Sequence, residues 1–240
     1  MAVVAAYVVI WLIGSGAHFV VAFLGALVIG TTIGCIILRG YGRIGGPHKD
    51  LYVLIASIGL AMIMQNCCAI AFGSSIQRAQ MPVFFDTIVH VTSAFSLSGT
   101  QLLVSGLCTL AIALMLSVWY GTVLGSAARA ISENPELSVL VGVPVARRVG
   151  ELGLISAAGA STVGIVASID AGVTPSAGFD YLLPGIVAAV IGGGFGLRGV
   201  VLGALVLAAF SSSCAYLIGS RWADLGSVLL LAIFLTWRTK

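Results

Sequence analysis

Apolar residues run in long blocks along this chain, and the polar residues fall mostly between the blocks. The blocks cover residues 2–14, 17–38, 51–72, 101–120, 149–169, 181–194, 200–218 and 225–237. A helix needs about 20 apolar residues to cross the hydrocarbon core of a bilayer. The first, sixth and last blocks are shorter than that, and are expected to be tilted, re-entrant or extended by their flanks. A barrel would need strands alternating polar and apolar positions, and the blocks do not alternate. Helices satisfy their backbone groups internally and are the spanning form that fits. The pattern therefore predicts an all-α, polytopic transmembrane helix bundle of about eight membrane segments, some short or re-entrant, in a single domain over residues 1–240.

Composition sharpens this picture. The chain is 60% hydrophobic and 8% charged, against about 25% charged residues in a soluble domain. Its net charge of +3 is too small to point to nucleic acid. The placement of the charge is more informative. With eight crossings, Arg39, Arg43, Lys49, Arg129, Arg147, Arg148, Arg198, Arg238 and Lys240 share one face, and only Arg78 and Arg221 lie opposite. Basic residues concentrate on the cytoplasmic side of membrane proteins, so both termini of this multi-pass membrane protein are expected in the cytoplasm. Residues 1–38 contain no Lys or Arg, unlike the basic start of a cleaved signal peptide. The five cysteines, Cys35, Cys67, Cys68, Cys108 and Cys214, lie inside apolar blocks without metal-ligand spacing and read as small buried apolar residues.

One polar stretch, "ARAISENPELSVLVGVPVARR" at residues 128–148, is punctuated like a short helix. Asn134 is a good N-cap, and Pro135 takes the first helical position, where its missing N–H costs nothing. Glu136 complements the positive end of the helix dipole. Leu137, Leu140 and Val141 make one apolar stripe at helical spacing. Gly142 is the expected residue just past the C-terminus, and Pro144 prevents continuation. A helix of about two turns is unstable alone in water, so it must lean on something. Two supports are open: the rim of its own bundle, or a groove on a separate partner.

Other constellations carry less chemistry. Gly192, Gly193 and Gly194 are followed by Gly196 and Gly199. A phosphate-binding loop needs a Lys and a Ser/Thr after its glycines, and neither follows, so close helix packing or a broken helix is the better reading. Gln65 and Asn66 sit inside an apolar block and are expected to face protein or a wet cavity, through an interhelical hydrogen bond or as lining of a solute pathway. Ser211 and Ser212, with Ser213, pose the same choice, with back-bonding to their own helix as a third option. His18, His48 and His90 lie far apart, and Asp170 and Asp180 flank one loop. No nucleophile–base pair and no metal spacing emerges, so the sequence supports neither an enzyme nor a metal site.

The stretch "GSAARAISENPELSVLVGVPVARRVG" resembles the cytoplasmic loop of the branched-chain amino acid ABC transporter permeases, in Arg129-Ala130, in Glu133 to Leu137 and in Gly142-Val143. "AAVIGGGFGLRGVVLGALVL" is similar to the same family's Gly-Gly, Arg-Gly and Gly-Ala pattern, and "GVTPSAGF" and "IASIGLAMIMQN" are weaker matches. Relatives usually carry further N-terminal membrane sequence with an Asn-Phe-Ala-His-Gly motif, which is absent here; Phe195 stands where they have a small residue, and Pro184 interrupts a segment they keep helical. The resemblance implies a permease subunit of an importer for branched-chain amino acids or related small polar solutes. Its coupling loop, at about 121–148, would dock on a cytoplasmic ATP-binding subunit through Arg129, Glu133, Asn134, Pro135, Glu136, Leu137, Leu140, Val141 and Gly142. The implied partners are that subunit, which would bind the ATP, a second permease subunit (paralogue or self), an extracytoplasmic solute-binding protein and the lipid bilayer. A secondary transporter is the alternative. It would place coupling carboxylates or broken helices near the midplane, whereas the acidic residues here sit at or near segment ends.

Overall fold

The computed structural model describes residues 1–42, 48–79, 88–92, 95–193, 196–217, 219 and 226. The last apolar block, 225–237, lies outside the described residues apart from position 226, as do Arg43, Gly194, Phe195, Arg221, Arg238 and Lys240. The described chain is nearly all helical. Its elements run α1 (Ala2–Gly14), α2 (Phe19–Gly42), α3 (Lys49–Phe72), β1 (Ile88–Thr92), β2 (Phe95–Ser98), α4 (Gly99–Gly121), α5 (Val123–Glu133), α6 (Pro135–Leu140), α7 (Val145–Asp170), α8 (Ala177–Gly192) and α9 (Gly196–Leu217). Five of these helices, α2, α3, α4, α7 and α9, are long and apolar enough to cross a membrane; α1 and α8 are shorter apolar helices. At 1.5 Å per residue, α2 is about 36 Å long and α8 about 24 Å, on either side of the ~30 Å hydrocarbon thickness.

The chain divides into two compact units, Met1–Pro175 and Ser176–Lys240. In the first, α7 is the central helix, with 39% of its apolar window buried, while none of α4's is. Small residues at a four-residue repeat explain how α7 and α2 approach. Ala22, Ala26, Gly30 and Gly34 line α2, and Gly153, Ala157, Ser161 and Gly164 line α7. A methyl on Gly34 would lie 2.5 Å from Ala157 Cβ, and one on Gly30 would lie 3.0 Å from Ser161 Cβ and 3.1 Å from Ala5 Cβ. Small residues let backbones come close where lipid supplies no hydrophobic drive between helices. The buried hydroxyls of Ser161 and Ser168 donate to Ala157 O (2.8 Å) and Ile165 O (2.7 Å) of their own helix, so both are paired.

The helix α1 lies along only part of that seam. Leu12 faces Gly25, Ala5 faces Gly30, and Met1 reaches Gly34, while closer to the Gly42 end Leu38 of α2 meets Gly153 of α7 directly. Ala5, Val9, Ala22, Ala26, Ile165 and Ile169 form the buried core there, with Val104 of α4 packed against it. Tyr7 is buried and stacks on Phe72 of α3, with ring centroids 4.7 Å apart.

The segment after α3 is more structured than the loop the apolar pattern implies. Gln77 pairs antiparallel with Val173, through Gln77 N–H to Val173 O at 3.0 Å and Val173 N–H to Gln77 O at 2.8 Å. Ala79 N–H donates to Ser168 O at 3.0 Å, and Arg78 Nε donates to Ala171 O at 3.1 Å. Further along, β1 and β2 pair antiparallel with Val89 opposite Leu97 and an irregularity between His90 and Thr92. "IVHVT" and "FSLS" are β-branched or alternating, a pattern that suits a strand better than a helix.

In the second unit α8 packs on α9 through Val187, Ala188 and Leu207. Helix α8 stays helical through Pro184.

Candidate functional site

The polar end of the first unit is built from the junctions α4–α5–α6–α7. Helix α4 ends at Gly121, and the chain turns at Thr122, the N-cap of α5. The Thr122 hydroxyl accepts from Gly125 N–H at 3.3 Å and donates to Val118 O at 2.6 Å, so one side chain serves the end of one helix and the start of the next. Gly125 rests against the backbone of Trp119 with no space for a methyl group. Arg129 Nη1 donates to the Trp119 carbonyl, and its guanidinium sits 5.6 Å from the centre of the Tyr120 ring. A cation is favoured there by the negative dipole end of α4.

Asn134 alone separates α5 from α6. Its N–H donates to Ala130 O at 3.1 Å, closing α5, and its Oδ1 accepts from Leu137 N–H at 3.0 Å, opening α6. Pro135 holds the first position and Glu136 the first turn. At the other end Gly142 has φ +88°, and it bonds Val139 O while Val143 N–H bonds Ser138 O, each at 3.0 Å. This pair of bonds satisfies the last carbonyls of α6 and needs a residue that tolerates positive φ.

What α6 buries is a serine. Ser138 is 5% exposed and donates to Asn134 O at 2.9 Å. Leu137 is 59%, Val139 60%, Leu140 83% and Val141 76% exposed. The apolar stripe read from the sequence points away from its own bundle. Glu133 and Glu136 are also exposed beside it. Past the turn, Glu151 accepts from Arg147 Nε at 3.1 Å and from Arg148 Nη1 at 2.8 Å, fixing the start of α7 ahead of its apolar run.

Helix α6 is thus a capped surface helix with its apolar side chains outward. Comparison with protein families gives a match over residues 1–237 to the branched-chain amino acid transport system / permease component family. The chain belongs to that family. This is a family of transporter permeases rather than an enzyme class, and the permease is accordingly a multi-pass membrane protein. It is 30% identical over 222 residues to the high-affinity branched-chain amino acid transport system permease protein LivH of Escherichia coli K12, covering 89% of this chain and 70% of that one. It is 28% identical over 221 residues to LivH of Salmonella typhimurium, with the same coverage. Against BraD of Pseudomonas aeruginosa, a permease protein of the same description, it is 25% identical over 236 residues, covering 90% of this chain and 72% of BraD. No solved structure matches the permease.

The remaining sequence-predicted residues of the permease fall apart from α6. Gln65 is half-buried and Asn66 exposed on α3, and Asn66 Nδ2 donates back to Met62 O at 2.8 Å rather than across to another helix. Ser211 is half-buried and Ser212 exposed on α9, where Ser213 Oγ bonds Ala209 O at 2.8 Å. Gly192 closes α8 against the backbone of Gly199, and a methyl on Gly203 would lie 2.8 Å from Ala188 O. Gly192 and Gly199 thus serve helix packing. Helix α8 has Gly193 as its C-cap, and α9 starts at Gly196. Among the described residues no group of three or more His, Cys, Asp or Glu is placed to hold a metal. Sequence reasoning missed Trp119, Tyr120, Thr122 and Gly125. The signal available was Thr122 after Gly121, an N-cap residue directly following a helix-ending glycine.

Proposed function

We propose that this chain is the membrane-spanning permease subunit of an ATP-driven importer for branched-chain amino acids or related small polar solutes. Family membership supports the transport role, and the names of the relatives suggest the solute class. The observation that carries the mechanism is the outward face of α6: a capped helix presenting Leu137, Val139, Leu140 and Val141 to its surroundings. Such a face fits a groove on a cytoplasmic ATP-binding subunit, with Glu133, Asn134, Pro135, Glu136 and Gly142 shaping the helix or bordering it. In this reading ATP is bound by that partner and not by the permease. The α5–α6 end lies in the cytoplasm and Arg78 on the external side of the inner membrane, following the distribution of basic residues. A second permease subunit completes the pathway, and an extracytoplasmic binding protein delivers solute. The described carboxylates, Glu133, Glu136, Glu151, Asp170 and Asp180, all sit at or near helix ends, which works against a secondary transporter with midplane coupling groups.

The test uses two substitutions and two readouts. Leu140→Asp places a charge where the groove expects a hydrocarbon, and Gly142→Pro forces negative φ and removes the N–H that bonds Val139 O. Both are expected to abolish capture of the cognate ATP-binding subunit while leaving detergent-stable yield unchanged. Normal capture and normal transport in both variants would reject α6 as the docking helix.

A further inference from the structure

We propose that Arg129 is a positioning residue that braces the elbow between α4 and α5, so that displacement of α6 reaches α4 instead of being absorbed at residues 121 and 122. The proposal rests on the reading of α6 as a docking helix. It changes the role of Arg129 within that reading: the guanidinium is engaged by its own chain and is not a contact for the partner.

The argument is one of linkage geometry. Between α6 and the membrane helix α4 there are two places where the backbone can bend. One is Asn134, where α5 stops and α6 starts with no intervening residue. The other is the turn at Gly121 and Thr122. At the turn itself, the Thr122 hydroxyl ties Val118 to Gly125, and Gly125 lies flush against Trp119. Those contacts fix the vertex, but a vertex alone resists bending poorly. Arg129 lies two turns further along α5 and reaches back to Trp119, ten residues earlier, and over the Tyr120 ring. It therefore closes a triangle whose sides are the last turn of α4, α5 and its own side chain.

The chemistry suits arginine specifically. The guanidinium donates to a carbonyl in the last turn of α4 and lies over an aromatic ring at the same time, whereas a lysine ammonium is a single point charge with a larger hydration shell. Ala128, beside Arg129, is buried together with Gly125, so the face of α5 that carries Arg129 is seated against its surroundings.

The experiment uses the assembled complex in proteoliposomes, with the permease subunits, the cognate ATP-binding subunits and solute-loaded binding protein. Uptake of leucine per ATP hydrolysed is measured for Arg129→Ala, Arg129→Lys and Tyr120→Leu. Capture of the ATP-binding subunit and amide hydrogen exchange over residues 121–133 are measured alongside. For Arg129→Ala we expect normal capture, faster exchange at the elbow, and about a tenfold fall in uptake per ATP, the scale of losing a charge-assisted hydrogen bond together with a cation–π contact. Arg129→Lys should recover part of that loss, and Tyr120→Leu should show part of it. Unchanged uptake per ATP in Arg129→Ala overturns the brace. So does loss of capture, which would make Arg129 a direct partner contact. If Arg129→Ala lowers folded yield, the other two variants decide: wild-type uptake per ATP in both overturns the proposal. Failure of the underlying reading looks different, because Leu140→Asp would then keep capture whatever the exchange data show at the elbow.

Discussion

At the scale of single residues, α6 depends on two local rules. Asn134 supplies a side-chain acceptor for Leu137 N–H at its N-terminus, and a six-residue helix has no length to compensate for its loss. Replacing an N-cap Asn by Ala costs about 1 kcal/mol. If docking requires the helix formed, Asn134→Ala should weaken binding of the ATP-binding subunit about fivefold, and Asn134→Asp should restore it; titration of the two variants decides this, and equal affinities would show that the cap does not matter for docking. These rules were legible in the sequence because they act over three or four residues: Asn134-Pro135 opens a helix, and Gly142 followed by Pro144 ends one. Arg129 was legible as a charge and, through the family resemblance, as a coupling-loop residue, but not as a contact of α4. Its partners lie beyond a turn, ten residues back, and no local pattern specifies that return. Periodicity likewise assigned Leu137, Leu140 and Val141 to one stripe but could not say which way the stripe faces, since burying Ser138 or burying the leucines satisfies the same spacing.

At the scale of elements, the decisive contact is the α2–α7 seam. Apolar blocks announced both helices, although they could not identify the inner face, because a membrane helix is apolar all round. The usable signal was size: Ala22, Ala26, Gly30 and Gly34 at every fourth position. The start of α7 at Val145, ahead of its apolar block at 149, follows from Arg147 and Arg148 pairing with Glu151 one helical turn away. The hairpin β1–β2 was hidden because its short alternating strands lie in a stretch read only as a connection between two blocks. Overfilling a close-packed interface costs about 1–3 kcal/mol, so Gly34→Leu, which meets Ala157 at its first added carbon, should lower thermal stability in detergent. Ser161→Ala should be neutral, because the hydroxyl it removes is bonded within its own helix. A thermal shift series on the two variants tests the seam, and equal stability would place the packing elsewhere.

At the scale of the whole molecule, orientation is the first question. In a background with the native cysteines replaced by serine, a cysteine at Ser132 should react with a membrane-impermeant maleimide only after the cytoplasmic face is opened, and one at Ser74 should react in intact spheroplasts. The reverse pattern would invert the topology. The latch between the two loops on the Ser74 side sets a second consequence, in time rather than in space. Gln77, Arg78 and Ala79 find their partners at Val173, Ala171 and Ser168, and the Arg78–Ala171 pair is separated by 93 positions. At a synthesis rate of about 5–20 residues per second, roughly 5–20 s pass between the emergence of one half of the latch and the other. Throughout that interval α3 has been made but Gln77, Arg78 and Ala79 lack the hydrogen-bond partners that the end of α7 supplies. Nascent chains stalled before α7 is complete should therefore be cut by an external protease within residues 73–79, and chains stalled after α7 has inserted should resist. The order of synthesis thus leaves a vulnerable window in every copy of the permease, closed only when the central helix arrives.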